Sequence, residues 1–299
     1  MTPSLIPEQP DADRPSRRGR RSQPISDKAG PVHRVWLEQI RRRMTARGMT
    51  LGDLEHRSGY SKTALSELLR GNYYPSWLLT YSVIRTLDMP AQPMLRLWRA
   101  AAREASKETG WIDRSIETVA TMQPELPPLA LQALAASMRD PYTDYARVFL
   151  QLDERARWIV AHTFDILWVR WDEAAASPSL NHYAWDVLRT EVIARAPQHT
   201  DGSPDLRAAS LSTRAAQHDT ADLSEQLAGI ARLTDVFDSI GRLPADHRDA
   251  VLLHHSCGYD ENEVASITGM SEAVVHSHLR HAHRILHDLH IDDIPGAAQ

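Results

Sequence analysis

Basic and hydrogen-bonding side chains gather on one short stretch of the chain. Ser61 and Lys62 come where a helix is predicted to begin, and that end of a helix favours an anion such as a phosphate. Thr63 and Ser66 are small polar side chains that suit the edges of bases. Arg70 adds a second positive charge on the same outward side. This pattern predicts contact with double-stranded DNA.

Histidines form the other group of residues that could do chemistry. Nine of the 15 lie within residues 240–290, and His283 and His287 have the i, i+4 spacing that can hold a metal ion on a helix. No carboxylate or cysteine completes a recognised motif, so we predict no metal and no cofactor. Two interpretations stay open: histidines that tune a DNA contact near neutral pH, and a drifted surface with reduced DNA contact.

Motifs of catalysis are absent from the sequence. It contains no phosphate-binding loop, no Gly-rich dinucleotide turn, no nucleophile elbow and no HExxH. The single Cys257 excludes an internal disulfide and fits a reducing compartment. The apolar runs are too short to span a membrane, and no signal peptide is visible. We therefore expect a cytoplasmic, nucleoid-associated protein that is not an enzyme and contacts no membrane.

Two short helices must position the polar residues described first. They lie in the stretch Met49–Gly71, where Thr50 and Asp53 form a capping-box pattern at the start of the first helix. Ser61 can cap the second helix, and Gly59 lies at the sharp turn where positive φ is expected. Two helices joined by a tight glycine turn predict a helix-turn-helix, whose second helix enters the major groove.

The flanking residues extend this unit to five helices over residues 31–103. The stretch resembles the lambda-repressor-like domains of the xenobiotic-response-element regulator family, at Leu51, Leu54, Gly59, Tyr60, Ser61, Leu65, Leu68, Gly71 and Pro75. The resemblance implies a DNA-reading second helix, and Arg41, Arg42 and Arg43 are expected to hold the DNA backbone. Glu55 stands where the family usually has a small alanine, so its side chain should lean outward.

A second unit of the same kind occupies residues 260–275. Gly269 follows Val264 by five residues, as in the first unit, and Ser271 can cap the second helix. The small residue between the helices is present here as Ala265. The chain is therefore predicted to carry two helix-turn-helix units.

The whole of residues 223–290 resembles region four of sigma factors. The positions in register are Leu243-Pro244, Arg248, Val251-Leu252-Leu253, Gly258-Tyr259, Glu263-Val264-Ala265, Gly269-Met270-Ser271, Val275, Leu279 and Ala282. The resemblance implies that the second helix reads a promoter element, with Ser271, Glu272, His276, His278 and Arg280 as the candidate DNA contacts. His276 and His278 replace usual cations, and a neutral imidazole neutralises no phosphate, so weak DNA affinity is expected from this module alone.

Residues 142–196 are predicted to form a helical domain with an aromatic core. The run Phe164–Trp168, followed by a loop and by Ala184-Trp185 and Leu188-Arg189, resembles region two of extracytoplasmic-function sigma factors. In those factors this region holds RNA polymerase and melts promoter DNA. The stretch lacks a basic face and is acidic at Asp153, Glu154, Asp165, Asp172 and Glu173. Direct promoter melting is therefore not expected.

The charge distribution separates a basic N-terminal module from an acidic body. Residues 31–103 hold 12 basic and 5 acidic residues, whereas residues 104–299 hold 16 and 30. Because phosphate neutralisation supplies most non-specific affinity, the N-terminal unit should be the stronger DNA contact. The predicted all-α order is a disordered basic tail (1–30), a helix-turn-helix domain (31–103), a helical connector (104–141), a region-two-like domain (142–196), a linker (197–222), a region-four-like domain (223–290) and a tail (291–299).

The sequence as a whole predicts a sequence-specific, DNA-binding bacterial transcription regulator. Its sigma-like half would contact promoter DNA or RNA polymerase. Two alternatives stay open: a stand-alone sigma factor that starts transcription with core polymerase, and a regulator whose sigma-like half binds a protein partner instead of DNA. Paired half-sites favour a homodimer, whereas two helix-turn-helix units in one chain could give a monomer the same bivalency.

Overall fold

The computed structural model describes residues 24–119, 125–207, 209 and 223–288. Within these ranges the protein is all-α, and the one strand-like pairing is an isolated antiparallel bridge between Gln198 and Pro204. Most of the predicted basic tail, most of the predicted linker and the tail at 291–299 lie outside the described residues. None of the described helices combines the length and apolar character required to cross a membrane.

Five helices form the N-terminal part of the fold around three fully buried tryptophans, Trp36, Trp77 and Trp98. The indole Nε1 of Trp98 donates to the carbonyl oxygen of Pro75 at 3.2 Å, so this buried polar atom is satisfied. The helices are α1 (Pro31–Ala46), α2 (Leu51–Ser58), α3 (Lys62–Arg70), α4 (Trp77–Thr86) and α5 (Ala91–Glu104). Each of the five helices predicted in this stretch is present.

Helix α6 (Thr109–Glu117) leads from these helices to the middle of the chain. Its Trp111 stacks on Trp98 with ring centroids 5.8 Å apart, so α6 docks on the tryptophan core of the five helices. The next helix, α7 (Leu129–Leu150), runs straight through residue 141, where the sequence suggested a domain boundary. Pro141 lies inside this helix, because burial on both sides of it outweighs the local cost of a proline.

Helix α7 packs against α8 (Asp153–Val169), and α9 (Trp171–Ala175) and α10 (Leu180–Ile193) complete the middle domain. The ring of Tyr142 lies 5.9 Å from that of Phe164 and 5.9 Å from that of Trp185. Phe164 and Trp185 are therefore core residues, as predicted, whereas Trp158 is exposed.

The first part of the predicted linker, residues 197–207, is folded against its neighbours. Gln198 pairs with Pro204, and the side chain of Leu206 is fully buried. The sequence indicated a linker here, because Leu206 is the one large apolar residue among residues 197–207. The C-terminal module follows as α11 (Leu223–Gly241), α12 (Ala245–Val251), a π-helical turn (Leu252–Ser256), α13 (Glu261–Thr268) and α14 (Glu272–Asp288).

A buried carboxylate joins the C-terminal module to the middle domain. The side chain of Asp249, on α12, has no exposure to solvent. It accepts a hydrogen bond from the Tyr145 hydroxyl on α7 at 2.7 Å and from Arg189 Nη1 on α10 at 3.3 Å. Arg248 Nε lies 3.6 Å from the same carboxylate. Burial raises the pKa of Asp249 above its usual range, and these partners lower it.

The Asp249→Asn variant tests how much this interface depends on the buried charge. Loss of the carboxylate leaves Arg189 and Arg248 without their shared buried partner, so we expect unfolding to become about 3–5 kcal/mol easier. Urea unfolding followed by tryptophan fluorescence measures the change. The control is Asp246→Asn, which breaks a half-exposed ion pair with the same Arg189 and should cost ~1 kcal/mol or less. Equal losses for the two variants would contradict the central role of Asp249.

Candidate nucleic-acid interfaces

The first helix-turn-helix unit has the local geometry that its sequence predicts. The Thr50 hydroxyl accepts from the Asp53 backbone N–H at 3.2 Å, and the Asp53 carboxylate accepts from the Thr50 N–H at 2.9 Å, which completes the capping box. Gly59 ends α2 with φ at 75°, and Gly71 ends α3 with φ at 69°. In the left-handed region only glycine escapes a steric penalty, so these two positions fix where both helices stop.

Helix α3 buries one side and exposes the other. Its buried residues are Leu65, Leu68 and Leu69. The residues predicted to contact DNA lie on the opposite side: Ser61, Lys62 and Thr63 are exposed, and Ser66 and Arg70 are half-buried. The structure thus brings these five residues onto one face of one helix. Their contact with DNA stays a proposal.

The N-terminus of α3 is occupied by a carboxylate from α2. Glu55 Oε1 accepts from the backbone N–H of Lys62 at 3.0 Å, and Glu55 Oε2 lies 3.5 Å from Lys62 Nζ. Glu55 therefore leans outward, as expected, and its carboxylate takes the position where a helix N-terminus would bind a phosphate. This second role of Glu55 could not be predicted, because it depends on how α2 and α3 pack together.

The three consecutive arginines of α1 all bond to other parts of the protein. Arg41 Nε donates to the carbonyl oxygen of Leu69 at 2.8 Å, and burial lowers the pKa of Arg41. Arg42 pairs with Glu173 at 2.8 Å and Arg43 with Asp172 at 2.9 Å, both on α9. These arginines were expected to contact the DNA backbone, because their sequence positions do not show that the acidic helix α9 folds beside them. That DNA contact stays a prediction, and it would have to replace these bonds.

The second helix-turn-helix unit repeats the logic of the first. Asp260 and Glu263 form a capping box at α13, with bonds of 2.8 and 2.9 Å, a motif visible in the sequence that the sequence analysis missed. Gly269 ends α13 with φ at 69°, and the Ser271 hydroxyl accepts from the Val274 N–H at 3.4 Å at the start of α14.

The buried and exposed sides of α14 follow the predicted register. Its buried residues are Val275, Leu279, Ala282 and Leu286. Four predicted contact residues are exposed: Ser271, Glu272, His276 and Arg280. Among the contacts predicted for α14, Glu272 and Arg280 cancel when the histidines are counted as neutral, whereas Lys62 and Arg70 give the contacts predicted for α3 a formal charge of +2.

Most of the described histidines of the C-terminal module lie in two clusters of rings or pair with a carboxylate. The ring of His247 lies 4.5 Å from that of His278 and 5.0 Å from that of His281, so the predicted DNA contact His278 faces the module's own α12. Burial, followed by the charges of these two neighbours, lowers the pKa of His247. On the surface, His276 Nδ1 lies 3.1 Å from a Glu261 carboxylate oxygen.

The second cluster contains His283, one of the two histidines whose spacing was considered for a metal. His283 Nε2, on α14, lies 2.9 Å from Nε2 of His255 on the π-helical turn. Burial, followed by the charges of His254 and His283, lowers the pKa of His255 to about 4. His255 is therefore neutral at physiological pH and suits an N–H···N hydrogen bond with His283.

The turn of the second unit is covered by the middle domain. Asn181 Nδ2 donates to the Ser266 carbonyl oxygen at 2.9 Å, and His182 Nδ1 lies 3.1 Å from the Thr268 carbonyl oxygen. A Cβ atom added at Gly269 would lie 2.2 Å from the His182 backbone nitrogen, so the two backbones touch. The beginning of α10 therefore satisfies the last carbonyls of α13 and lies over the turn.

The middle-domain segment that resembles region two is also covered. Asp165 pairs with Arg96 of α5 at 2.6 Å, and the Arg96 guanidinium lies over the Trp168 ring at 5.4 Å from its centroid. Burial raises the pKa of the Asp165 carboxyl, and the bond from Arg96 lowers it. Arginines of the N-terminal helices thus pair with three of the five acidic residues named above, Asp165, Asp172 and Glu173.

Comparison with known proteins supports one part of this chain directly. Residues 234–286, from the second half of α11 to α14, match the family model described as Sigma-70, region 4. No curated protein matches the chain. The match confirms the predicted resemblance of the C-terminal module but covers neither residues 31–103 nor residues 142–196. It indicates a DNA-binding role of sigma-factor type in transcription for the C-terminal module.

Proposed function

We propose that this protein is a transcription regulator that reads duplex DNA with α3 and presents its region-four module to a promoter or to RNA polymerase. The observation that carries the proposal is the contrast between the two recognition helices. Helix α3 exposes Lys62 beside small polar side chains, while α14 exposes Glu272 and His276. Because cations on the contact face supply most of the affinity, α3 is the better equipped to bind DNA.

The packing of the sigma-like half favours a regulator over a stand-alone sigma factor. A sigma factor must use region two and region four on the promoter at the same time. Here Arg96 covers the region-two-like face, and Asn181 and His182 cover the turn of region four. The region-two-like face and the turn of region four are therefore engaged inside the chain, while the outer side of α14 stays exposed.

A second candidate function is supported by the charge of the same half. Residues 104–299 carry 30 acidic against 16 basic residues, which disfavours a phosphate backbone and suits a basic protein surface. In this alternative the region-four module binds a protein partner, and α3 alone contacts DNA. Both candidates predict that variants of α3 lose DNA binding. They differ in what the sigma-like half does, so a transcription experiment is needed to separate them.

Removal of two cations from α3 is the direct test of DNA reading. We expect Lys62→Ala with Arg70→Ala to weaken binding to duplex DNA and to reduce the slope of log K against log salt by about two, since each lost phosphate contact removes about one. Fluorescence anisotropy over a salt series measures both quantities. Arg114→Ala with Arg155→Ala removes the same charge from exposed positions outside α3 and serves as the control. Equal effects of the two double variants would contradict the proposal.

Removal of the Glu55 charge at the start of α3 should have the opposite effect, a gain in DNA affinity. Glu55→Gln keeps an acceptor for the Lys62 N–H but removes the negative charge that competes with phosphate. We expect DNA affinity to rise about two- to fivefold, the size of a charge effect at a helix terminus. The same anisotropy assay measures it, with the exposed Glu117→Gln as the charge-matched control. An unchanged or weaker affinity for Glu55→Gln would refute phosphate competition at this site.

Reconstituted transcription separates the candidate functions of the sigma-like half. A regulator that touches promoter or polymerase should start no transcripts with core RNA polymerase alone and should change transcript levels when a resident sigma factor is present. Transcripts with core polymerase alone would overturn the proposal in favour of a sigma factor. No effect in either reaction, with DNA binding by α3 intact, would favour the protein-partner alternative.

A further inference from the structure

Three potential metal ligands come together where the middle domain meets the C-terminal module. His199 and Asp205 lie on the folded segment after α10, and Asp238 lies on α11. His199 Nε2 is 3.3 Å from Asp238 Oδ1 and 3.9 Å from Asp205 Oδ1. One ligand atom from each residue lies within 4.8 Å of the others, which is the spacing that a single ion can bridge.

The backbone holds this arrangement from both sides. The His199 N–H donates to the Ser203 carbonyl oxygen at 2.8 Å, and the Asp205 N–H donates to the Pro197 carbonyl oxygen at 2.8 Å, so the segment doubles back and sets two ligands side by side. Helix α11 reaches the same segment through Gly241, where a Cβ atom would lie 2.6 Å from the Pro204 carbonyl oxygen. This close backbone contact brings the third ligand, Asp238 on α11, next to His199 and Asp205.

Two of the ligand atoms are enclosed without a hydrogen bond. His199 Nε2 and Asp238 Oδ1 are both shielded from solvent and lie 3.3 Å apart, and among the described residues neither makes a hydrogen bond of good geometry. Enclosed polar atoms in native proteins are nearly always satisfied, and a bound ion is one way to satisfy them. Both atoms can offer a lone pair toward the same point.

Asp205 already has a partner within its own segment. Arg207 donates to Oδ1 of Asp205 from its backbone N–H and from Nε, at 3.0 and 2.9 Å, and to Oδ2 from Nε and Nη2, at 3.1 and 2.5 Å. These four contacts use both oxygens, so a metal ion at Oδ1 would replace one of the bonds from Arg207.

We propose that His199, Asp205 and Asp238 bind one divalent transition-metal ion of the zinc type, with water completing its coordination. One imidazole nitrogen and two carboxylate oxygens suit Zn²⁺ better than Ca²⁺ or Mg²⁺, which prefer oxygen ligands alone. The ion would tie the segment after α10 to α11, and so hold the region-four module against the middle domain. This role is separate from DNA binding by α3.

Calorimetric titration of the full-length, chelator-treated protein with Zn²⁺ tests the site. The chain has other histidine clusters, so the comparison between variants decides the result. We expect Asp238→Asn, which is nearly isosteric, to lose one equivalent of bound zinc or at least about tenfold in affinity, since even supporting residues around metal ligands cost that much. His283→Ala removes a histidine from a different cluster and should keep that equivalent. Identical titrations for wild type and Asp238→Asn would overturn the proposal.

A second variant reports on the site itself even if Asp238→Asn folds poorly. Asp238→Cys replaces one carboxylate with a thiolate, which is also a ligand of zinc-type metals. Titration of this variant with Co²⁺ should produce a thiolate-to-cobalt charge-transfer band that the wild type lacks, although the wild type contains Cys257. Absence of the band from a folded Asp238→Cys protein, judged by circular dichroism, would show that the cluster is only an ion pair between His199 and its two aspartates.

Discussion

Asp249 is a carboxylate with no access to water, and three parts of the chain supply the groups that compensate its charge. Tyr145 comes from α7, Arg189 from α10 and Arg248 from the helix that carries Asp249 itself. A buried charge of this kind is tolerated only where its partners hold a fixed geometry, because unpaired it would cost several kcal/mol. The need to keep these partners around Asp249 fixes the position of the C-terminal module on the middle domain. In that position α10 covers the turn of the second helix-turn-helix unit.

The two helix-turn-helix units share a backbone design and differ in charge. Both start with a capping box, end the first helix with a left-handed glycine, and bury one side of the second helix. They differ in what the outer side offers: Lys62 on α3, but Glu272 and His276 on α14. In the first unit Glu55 also sits where a phosphate would bind, so the free protein already fills part of its own proposed DNA site. Backbone geometry and DNA affinity are thus set by different residues.

The C-terminal module is attached through several of its elements. Asp249 fixes α12, Asn181 reaches α13, the segment with His199 and Asp205 meets α11, and the Tyr259 hydroxyl donates to Asp144 of α7 at 2.7 Å. The N-terminal helices cover another side of the middle domain through Arg96. We infer that any contact of region four with DNA or polymerase is governed by this packing as well as by the residues of α14.

The sequence alone determined the local structure. Capping residues, left-handed glycines and helical spacing of leucines act over a few residues, so both helix-turn-helix units and the region-four resemblance could be predicted from it. Tertiary structure decided the partners of the charges. Arg42 meets Glu173, Asp249 meets Tyr145, and Asp238 meets His199 only because distant helices pack together. The partners in such pairs have no regular spacing along the sequence, because burial rather than local preference selects them. Burial also explains why α7 continues through Pro141, where the sequence indicated a break.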